Sequence, residues 1–339
     1  MIAGRRAGMP VWGMISRRIF VAALPAVAFA GAAWADPVFE AFLRGVRADA
    51  IAAGIRAATV DRAFAGLQPN PKVLELDSHP AERTQSWVRY RSTRLSEQRV
   101  QAGRQAMQAN AVQLAEVARR YGVDPGVIVA IWGLETNFGG FTGGFSVIEA
   151  LATLAADGRR DGFFRAELIS ALRILDHGDI SLGRMTGSYA GAMGQPQFMP
   201  SSYLDYAVDY DGKGRRDIWD SRADTLASIG NYLAKFGWRA GEPWCQAIRV
   251  PPGLDTGPEG RDDRRPLSAW TRLGVRRADG TAFPVSDIAS AVVMPDGAGG
   301  EAFMTYANFA VIRLYNHSDL YALSVGLLAL EISARRTVL

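Results

Sequence analysis

The stretch from Asp124 to Gly140, DPGVIVAIWGLETNFGG, constrains the fold of this chain more than any other. Asp is a preferred N-cap residue and Pro a preferred first helical residue, so the sequence predicts a helix that begins at Pro125 and ends before Gly139. The run from Val127 to Leu134 is apolar on all sides, which favours burial of the whole helix. Other elements must therefore pack around this one.

A single acidic side chain lies at the end of this apolar helix. Ile128, Ile131, Trp132 and Glu135 are spaced i, i+3, i+4 and i+7 and so share one helical face. Apolar surroundings raise the pKa of a carboxylic acid, which suits a general acid at neutral pH. A Glu that reaches solvent past the helix end explains the same pattern and is the commoner case. The pattern alone leaves both interpretations open.

The first 35 residues are typical of a cleaved export signal. Arg17 and Arg18 precede an apolar run from Ile19 to Ala33, and Ala33-Trp34-Ala35 matches a small-residue cleavage site. The sequence around the two arginines also resembles a twin-arginine signal. We therefore expect a periplasmic protein that is soluble after cleavage and has no stable membrane anchor. An uncleaved anchor is the alternative.

Outside that segment the charges of the chain balance. The sequence has 38 Lys and Arg against 34 Asp and Glu, and four of the arginines lie in the first 35 residues, which carry no acid. A net charge near zero gives no support for nucleic-acid binding. Cys245 is the only cysteine, so we expect no internal disulfide.

Hydrophobic periodicity predicts a mainly α fold of the α+β class. Residues 36–238 read as a helical region, which includes one long helix from Arg94 to Tyr121. Residues 239–300 contain prolines, glycines and short β-branched runs, which indicate a small β-rich insertion. The helical pattern returns over residues 301–339, so we expect this last segment to complete the helical core.

Several long motifs are spread over most of the chain. They are GLETNFG (133–139), GRMTGSYAGAMGQPQFMPSSY (183–203), AVDYDGKGRRDIWD (207–220), NYL (231–233) and YNHSDLYAL (315–323). Together they resemble the membrane-bound lytic murein transglycosylase B family, glycoside hydrolase family 103. The resemblance implies a lysozyme-like helical catalytic core with flanking helices. It also implies cleavage of the β-1,4 bond between N-acetylmuramic acid and N-acetylglucosamine in peptidoglycan, with formation of 1,6-anhydromuramyl ends.

The same resemblance implies roles for individual residues. Glu135 would protonate the leaving oxygen and then accept the proton of the muramyl 6-hydroxyl, so that one carboxyl does both jobs. Gly187, Gly191 and Gly194 would let the backbone of a long loop approach the sugar. The substrate-binding residues would be Arg159, Arg160, Ser188, Gln197, Phe198, Tyr232, Tyr315, Asn316 and Tyr321.

The run from Asp209 to Asp220 resembles an EF-hand loop, and some members of the family bind calcium there. Asp209 and Asp211 stand at positions 1 and 3, and Gly214 stands at position 6. Position 5, however, is Lys213, and position 12 is Asp220 instead of the longer Glu. We therefore expect no required cofactor. Calcium at the Asp209–Asp220 loop stays open but is disfavoured, because the ammonium of Lys213 would bond Asp209 or Asp211 in place of an ion.

Two other functions stay open at this point. A hydrolytic muramidase would need a second carboxylate, for which Asp157, Asp161 and Asp179 are candidates. A non-catalytic peptidoglycan-binding protein is disfavoured because Glu135 is intact. In each case the expected partner is the glycan strand of peptidoglycan, and the sequence does not identify protein partners.

Overall fold

The computed structural model describes residues 37–78, 85–254, 256 and 260–333. The predicted export signal, residues 1–35, lies outside these ranges. The described residues contain fourteen α-helices and two small sheets, which confirms the predicted mainly α class. None of the helices in these ranges is both long enough and apolar enough to cross a membrane.

The helices are distributed along nearly the whole described chain. They are α1 (Pro37–Ala52), α2 (Ala57–Phe64), α3 (Pro71–Ser78), α4 (Trp87–Arg94), α5 (Glu97–Ala109), α6 (Ala111–Tyr121), α7 (Pro125–Thr136), α8 (Val147–Ala156), α9 (Asp161–His177), α10 (Pro200–Tyr206), α11 (Arg222–Lys235), α12 (Leu267–Arg272), α13 (Ala307–Tyr315) and α14 (Asp319–Ile332).

The prediction of one long helix from Arg94 to Tyr121 is wrong. Helix α4 ends at Arg94, and Ser96 begins α5 as an N-cap whose side chain accepts the N–H of Arg99. A second break falls at Asn110, whose side-chain amide donates to the carbonyl of Ala106. Ser and Asn side chains satisfy backbone groups locally, so they favour helix ends over helix interiors.

Helix α7 lies at the centre of the helical core. Residues Val127–Trp132 are each at most 2% exposed, and α5, α6, α11 and α14 pack around them. The carboxylate of Asp124 accepts the N–H of Gly126 and caps the start of α7, as the sequence predicts. Asn137, in the left-handed conformation with φ 50°, ends the helix. The one element that the sequence marked as buried is thus the element that organises the core.

Two antiparallel sheets complete the fold. The small one pairs β1 (Phe145–Ser146) with β2 (Thr186–Gly187) and so joins the loop after α7 to the long loop before α10. The larger sheet has the order β4-β6-β7-β3-β5 and its own apolar core around Trp270 and Met304. Its strands are β3 (Cys245–Arg249), β4 (Arg265–Pro266), β5 (Arg276–Arg277), β6 (Ala289–Val293) and β7 (Ala302–Thr305).

Candidate active site

Glu135 lies in the last turn of α7 and is half-buried. The hydroxyl of Tyr321 donates a hydrogen bond of 2.5 Å to its Oε1 atom. Tyr321 is in the first turn of α14, which Ser318 caps by accepting the N–H of Tyr321. The packing of α14 on α7 therefore brings a buried phenol, 5% exposed, onto the one carboxylate at the end of the apolar helix.

Tyr315 and Tyr321 both remain protonated beside this carboxylate. Burial, and secondarily the negative charge of Glu135, raises the pKa of each phenol well above its ordinary value. The hydroxyl of Tyr315 donates to the carbonyl of Pro196 at 2.6 Å. Tyr321 is thus a hydrogen-bond donor to Glu135, and Tyr315 is a hydrogen-bond donor to the backbone of the long loop.

Three of the predicted substrate residues form an aromatic cluster under the loop. The ring centroids of Phe198 and Tyr315 are 5.8 Å apart, those of Phe198 and Tyr232 5.6 Å, and those of Tyr232 and Tyr315 4.8 Å. Phe198 is 2% exposed and Tyr232 is 7% exposed. The Tyr232 hydroxyl donates to the carbonyl of Leu314. Phe198 and Tyr232 therefore offer little surface to a sugar and support the residues that do.

The long loop between β2 and α10 carries Ser188 and Gln197, both half-buried. Ser188 makes a tight turn in which its hydroxyl accepts the N–H of Ala192 at 3.1 Å. Gln197 has φ 50°, and its side-chain amide donates to the carbonyls of Thr142 and Gly194. This geometry joins the loop to the segment that directly follows Glu135.

Gln195 was not predicted as a site residue, yet it anchors the same loop to α7. Its side-chain oxygen accepts the indole N–H of Trp132 at 2.9 Å, and its amide donates to the carbonyl of Trp219. Its backbone carbonyl accepts the hydroxyl of Thr136 at 2.8 Å. Gln195 is 7% exposed, and no periodicity or spacing in the sequence marks it as buried.

The loop glycines make room for the protein itself, which differs from their predicted role toward the sugar. A Cβ on Gly187 would lie 2.1 Å from the carbonyl oxygen of Ala192, and one on Gly191 would lie 2.4 Å from Leu151. A Cβ on Gly194 would meet the side chain of Ile218 at 2.6 Å. These glycines are needed because backbone and core side chains come closer than a side chain permits.

Arg159 and Arg160, at the junction of α8 and α9, form ion pairs with acidic side chains. Both guanidinium groups pair with the carboxylate of Asp77, which is 8% exposed in its side chain, and Arg159 also pairs with Asp157. The Arg160 guanidinium lies 4.7 Å from the ring centroid of Phe164. Their described contacts join α3 to the α8–α9 loop and do not include Glu135.

Asn316 occupies the short connection between α13 and α14, with extended backbone angles and a half-buried side chain. Its carbonyl accepts the N–H of Ser318 at 2.7 Å. In the sequence it lies between Tyr315 and Tyr321, the two tyrosines whose pKa the charge of Glu135 helps to raise. Side-chain contacts join Tyr321 to Glu135 and Tyr315 to the long loop that carries Ser188 and Gln197, whereas the Arg pair contacts Asp77 and Asp157.

Comparison with known proteins was made on sequence and on structure. Residues 38–330 match the family model described as Transglycosylase SLT domain. The chain is 34% identical over 256 residues to the membrane-bound lytic murein transglycosylase B of Escherichia coli (strain K12), which covers 74% of this chain and 68% of that protein.

Solved structures agree with this match. SltB3 from Pseudomonas aeruginosa was crystallised with NAG-anhNAM-pentapeptide and with NAG-NAM-pentapeptide. The two complexes are 45% and 44% identical to this chain, cover 88% of it and 80% and 81% of SltB3, and have TM-scores of 0.84 and 0.85. The Escherichia coli lytic transglycosylase Slt35 in complex with calcium is 30% identical over 88% of this chain and 93% of its own, with a TM-score of 0.74.

Proposed function

The chain belongs to the transglycosylase SLT domain family, and from this membership we propose that it is a lytic transglycosylase of peptidoglycan in which Glu135 alone is acid and base. The observation that carries the assignment of Glu135 is its hydrogen bond from Tyr321 at the end of a buried helix. One relative, SltB3, was crystallised both with NAG-anhNAM-pentapeptide and with NAG-NAM-pentapeptide, which supports peptidoglycan strands as the substrate.

Glu135 would act in two proton transfers. Its carboxyl first donates a proton to the oxygen that leaves C1 of the muramyl residue, so the N-acetylglucosamine side departs as an alcohol. The resulting carboxylate then accepts the proton of the muramyl 6-hydroxyl as that oxygen bonds to C1. The anhydro ring closes, the glutamic acid is restored, and no water is consumed.

Tyr321 would assist by holding the carboxylate. A hydrogen bond from a neutral phenol to an ionised carboxylate is charge-assisted and favours the form that exists between the two proton transfers. The raised pKa of Tyr321 keeps the phenol protonated over the working pH range of an ordinary enzyme. Because Tyr321 is buried, its part would be to position Glu135.

The alternative of a hydrolytic muramidase lacks support from the described acids. Asp157 pairs with Arg159 at 2.5 Å, and Asp179, 9% exposed, pairs with Arg216 at 2.7 Å. A carboxylate held in an ion pair is a poor base for activating water because its charge is already stabilised. Internal capture by the 6-hydroxyl needs no such base, so the single-acid mechanism fits these side chains better.

We further propose that residues 1–35 export the protein to the periplasm, where glycan strands are available. Ser188 and Gln197 of the long loop and Asn316 of the α13–α14 connection would contact the sugar. The aromatic cluster of Phe198, Tyr232 and Tyr315 would keep the long loop in place.

Mass spectrometry of the products from purified sacculi tests the function. We expect muropeptides that are one water lighter than the products of hydrolysis, formed by the wild type and lost in Glu135→Gln. The exposed Glu116→Gln of α6 is the matched control and should digest sacculi normally. Reducing muramyl ends would instead indicate hydrolysis, and binding to sacculi without any product would indicate a non-catalytic protein.

A further inference from the structure

Three acidic side chains converge in the loop that resembles a calcium site. One carboxylate oxygen each from Asp209, Asp211 and Asp224 lies within 4.8 Å of the others. Asp224 belongs to α11 and falls outside the twelve-residue pattern, so the sequence did not single it out. Calcium binds several oxygen ligands, so a site for it requires carboxylate oxygens that are not already bound to other groups.

Backbone N–H groups donate to all three carboxylates, and those of Asp209 and Asp224 accept more than one each. Asp209 accepts the N–H of Lys213 at 3.0 Å on one oxygen and that of Gly214 at 2.8 Å on the other. Asp224, which is fully buried, accepts three N–H groups, from Tyr210, Asp211 and Asp217, over 2.8–3.1 Å. The loop is thus closed by hydrogen bonds from its own backbone.

The third carboxylate is bound by a cation of the chain itself. The Lys213 ammonium lies 2.9 Å from Oδ2 of Asp211, and the Ser221 hydroxyl donates to the same oxygen at 2.9 Å. Position 5 of the loop, which supplies a metal ligand in an EF-hand, here supplies a positive charge. A calcium ion placed among the three carboxylates would face this ammonium.

The remaining ligand positions are directed elsewhere. Asp220, at position 12, pairs with Arg184 outside the loop. Asp217, at position 9, pairs with Arg215 at 2.6 Å and accepts the N–H groups of Trp219 and Asp220. The carboxylates at positions 9 and 12 thus have cationic partners of their own, and with an ammonium at position 5 the loop as it stands does not fit the ion.

We propose that Lys213 makes this loop independent of calcium, its ammonium supplying beside Asp211 the positive charge that the ion supplies elsewhere. The ammonium is well exposed, so its ion pair with Asp211 adds little stability by itself. The ammonium offsets one of the three carboxylate charges and repels a divalent cation, while the N–H bonds to Asp209 and Asp224 hold the loop. This inference does not rest on the proposed catalytic function.

The experiment compares the melting temperature of the whole protein in EDTA and in millimolar calcium, together with isothermal titration of calcium into metal-stripped protein. For the wild type we expect the same melting temperature in both buffers and no heat of binding. Lys213→Asp restores an acid at position 5, so we expect a lower melting temperature in EDTA that calcium raises by several degrees. Its calcium affinity should be at least about tenfold above that of the wild type.

Lys72→Asp is the matched control, because Lys72 is also exposed and ion-paired, with Glu75 in α3. It should respond to calcium no more than the wild type does. Should Lys213→Asp fail to fold, Lys213→Asn removes the positive charge and supplies a neutral oxygen ligand at the same position, and the same calcium response is expected. Calcium stabilisation of the wild type would overturn the proposal. So would a folded Lys213 variant that binds calcium no better than the wild type.

Discussion

The hydroxyl of Tyr321 lies 2.5 Å from Oε1 of Glu135, although 186 positions separate the two residues in the chain. The contact exists because α14 packs along α7, and the first turn of α14 meets the last turn of α7. Removal of this hydrogen bond is therefore the most direct test of the proposed acid, Glu135.

Tyr321→Phe removes the hydroxyl and keeps the ring. A hydrogen bond to a charged group contributes roughly 1.5–3 kcal/mol, so we expect kcat to fall about 10- to 100-fold with little change in KM. Digestion kinetics on purified sacculi measure both constants. Tyr203→Phe is the matched control, because Tyr203 is equally buried and its hydroxyl donates to the carbonyl of Arg216. An unchanged kcat in Tyr321→Phe would remove the positioning role.

The buried tyrosines predict how stability depends on alkaline pH. Burial raises the pKa of Tyr232 to about 12 and also raises the pKa values of Tyr315 and Tyr321 well above their ordinary value, whereas an unfolded tyrosine titrates near 10. Above that pH the unfolded chain loses protons that the folded chain keeps. The stability present at lower pH is therefore lost progressively as the pH rises through about 10 and beyond. Urea unfolding at several pH values from about 8 to 11 measures this slope.

Tyr232→Phe deletes one of these titrating groups and should flatten the alkaline slope. Phe lacks the hydroxyl bond to Leu314, so the variant should also be less stable at neutral pH. A slope identical to that of the wild type would mean that Tyr232 does not contribute to the alkaline loss.

Gly143→Ala tests the junction between β1 and β2. Gly143 has φ +93°, and a Cβ there would lie 2.1 Å from the carbonyl oxygen of Gly187. We expect a loss of about 2–4 kcal/mol in the free energy of unfolding, since both the left-handed backbone and the close contact oppose the side chain. Gly144→Ala is the neighbouring control, because a Cβ there meets nothing within 4 Å. Equal stability of the two variants in urea unfolding would contradict this account.

Asp224→Ala tests the backbone hydrogen bonds that close the acidic loop. The substitution leaves the N–H groups of Tyr210, Asp211 and Asp217 without their acceptor in a buried site. We expect a loss of about 2–5 kcal/mol in stability, measured in EDTA so that metal ions play no part. The exposed Asp205→Ala of α10 should lose far less. A small effect at Asp224 would mean that the loop is held by other contacts.

Part of the site was readable from local sequence. The cap at Asp124, the apolar run of α7 and the acid at its end are neighbours in the chain, so the pattern of residues located Glu135 on its helix. The loop motif located Ser188 and Gln197 in the same way. By contrast, Asn110 and Ser96 divided what the periodicity suggested was one helix, because side-chain hydrogen bonds to the backbone outweighed the hydrophobic pattern.

Other parts depended on contacts that no local pattern records. Gln195 anchors the loop through hydrogen bonds with Trp132 and Trp219, which are distant from it in the sequence. Asp77 likewise lies far from Arg159 and Arg160 in the sequence and forms ion pairs with both. The sequence motif did not indicate that Ala192, Leu151 and Ile218 lie where a Cβ on the loop glycines would be. Long-range packing therefore decided which polar groups support the loop and which side chains press against its glycines.

The sequence by itself determined the class of fold, the central helix and the position of its single acid, because helix capping and hydrophobic periodicity act over one or two turns. The tertiary structure alone decided that Tyr321 holds Glu135 and that Asp224 closes the acidic loop. These relationships join distant residues, and a hydrogen bond between them forms only after the helices have packed.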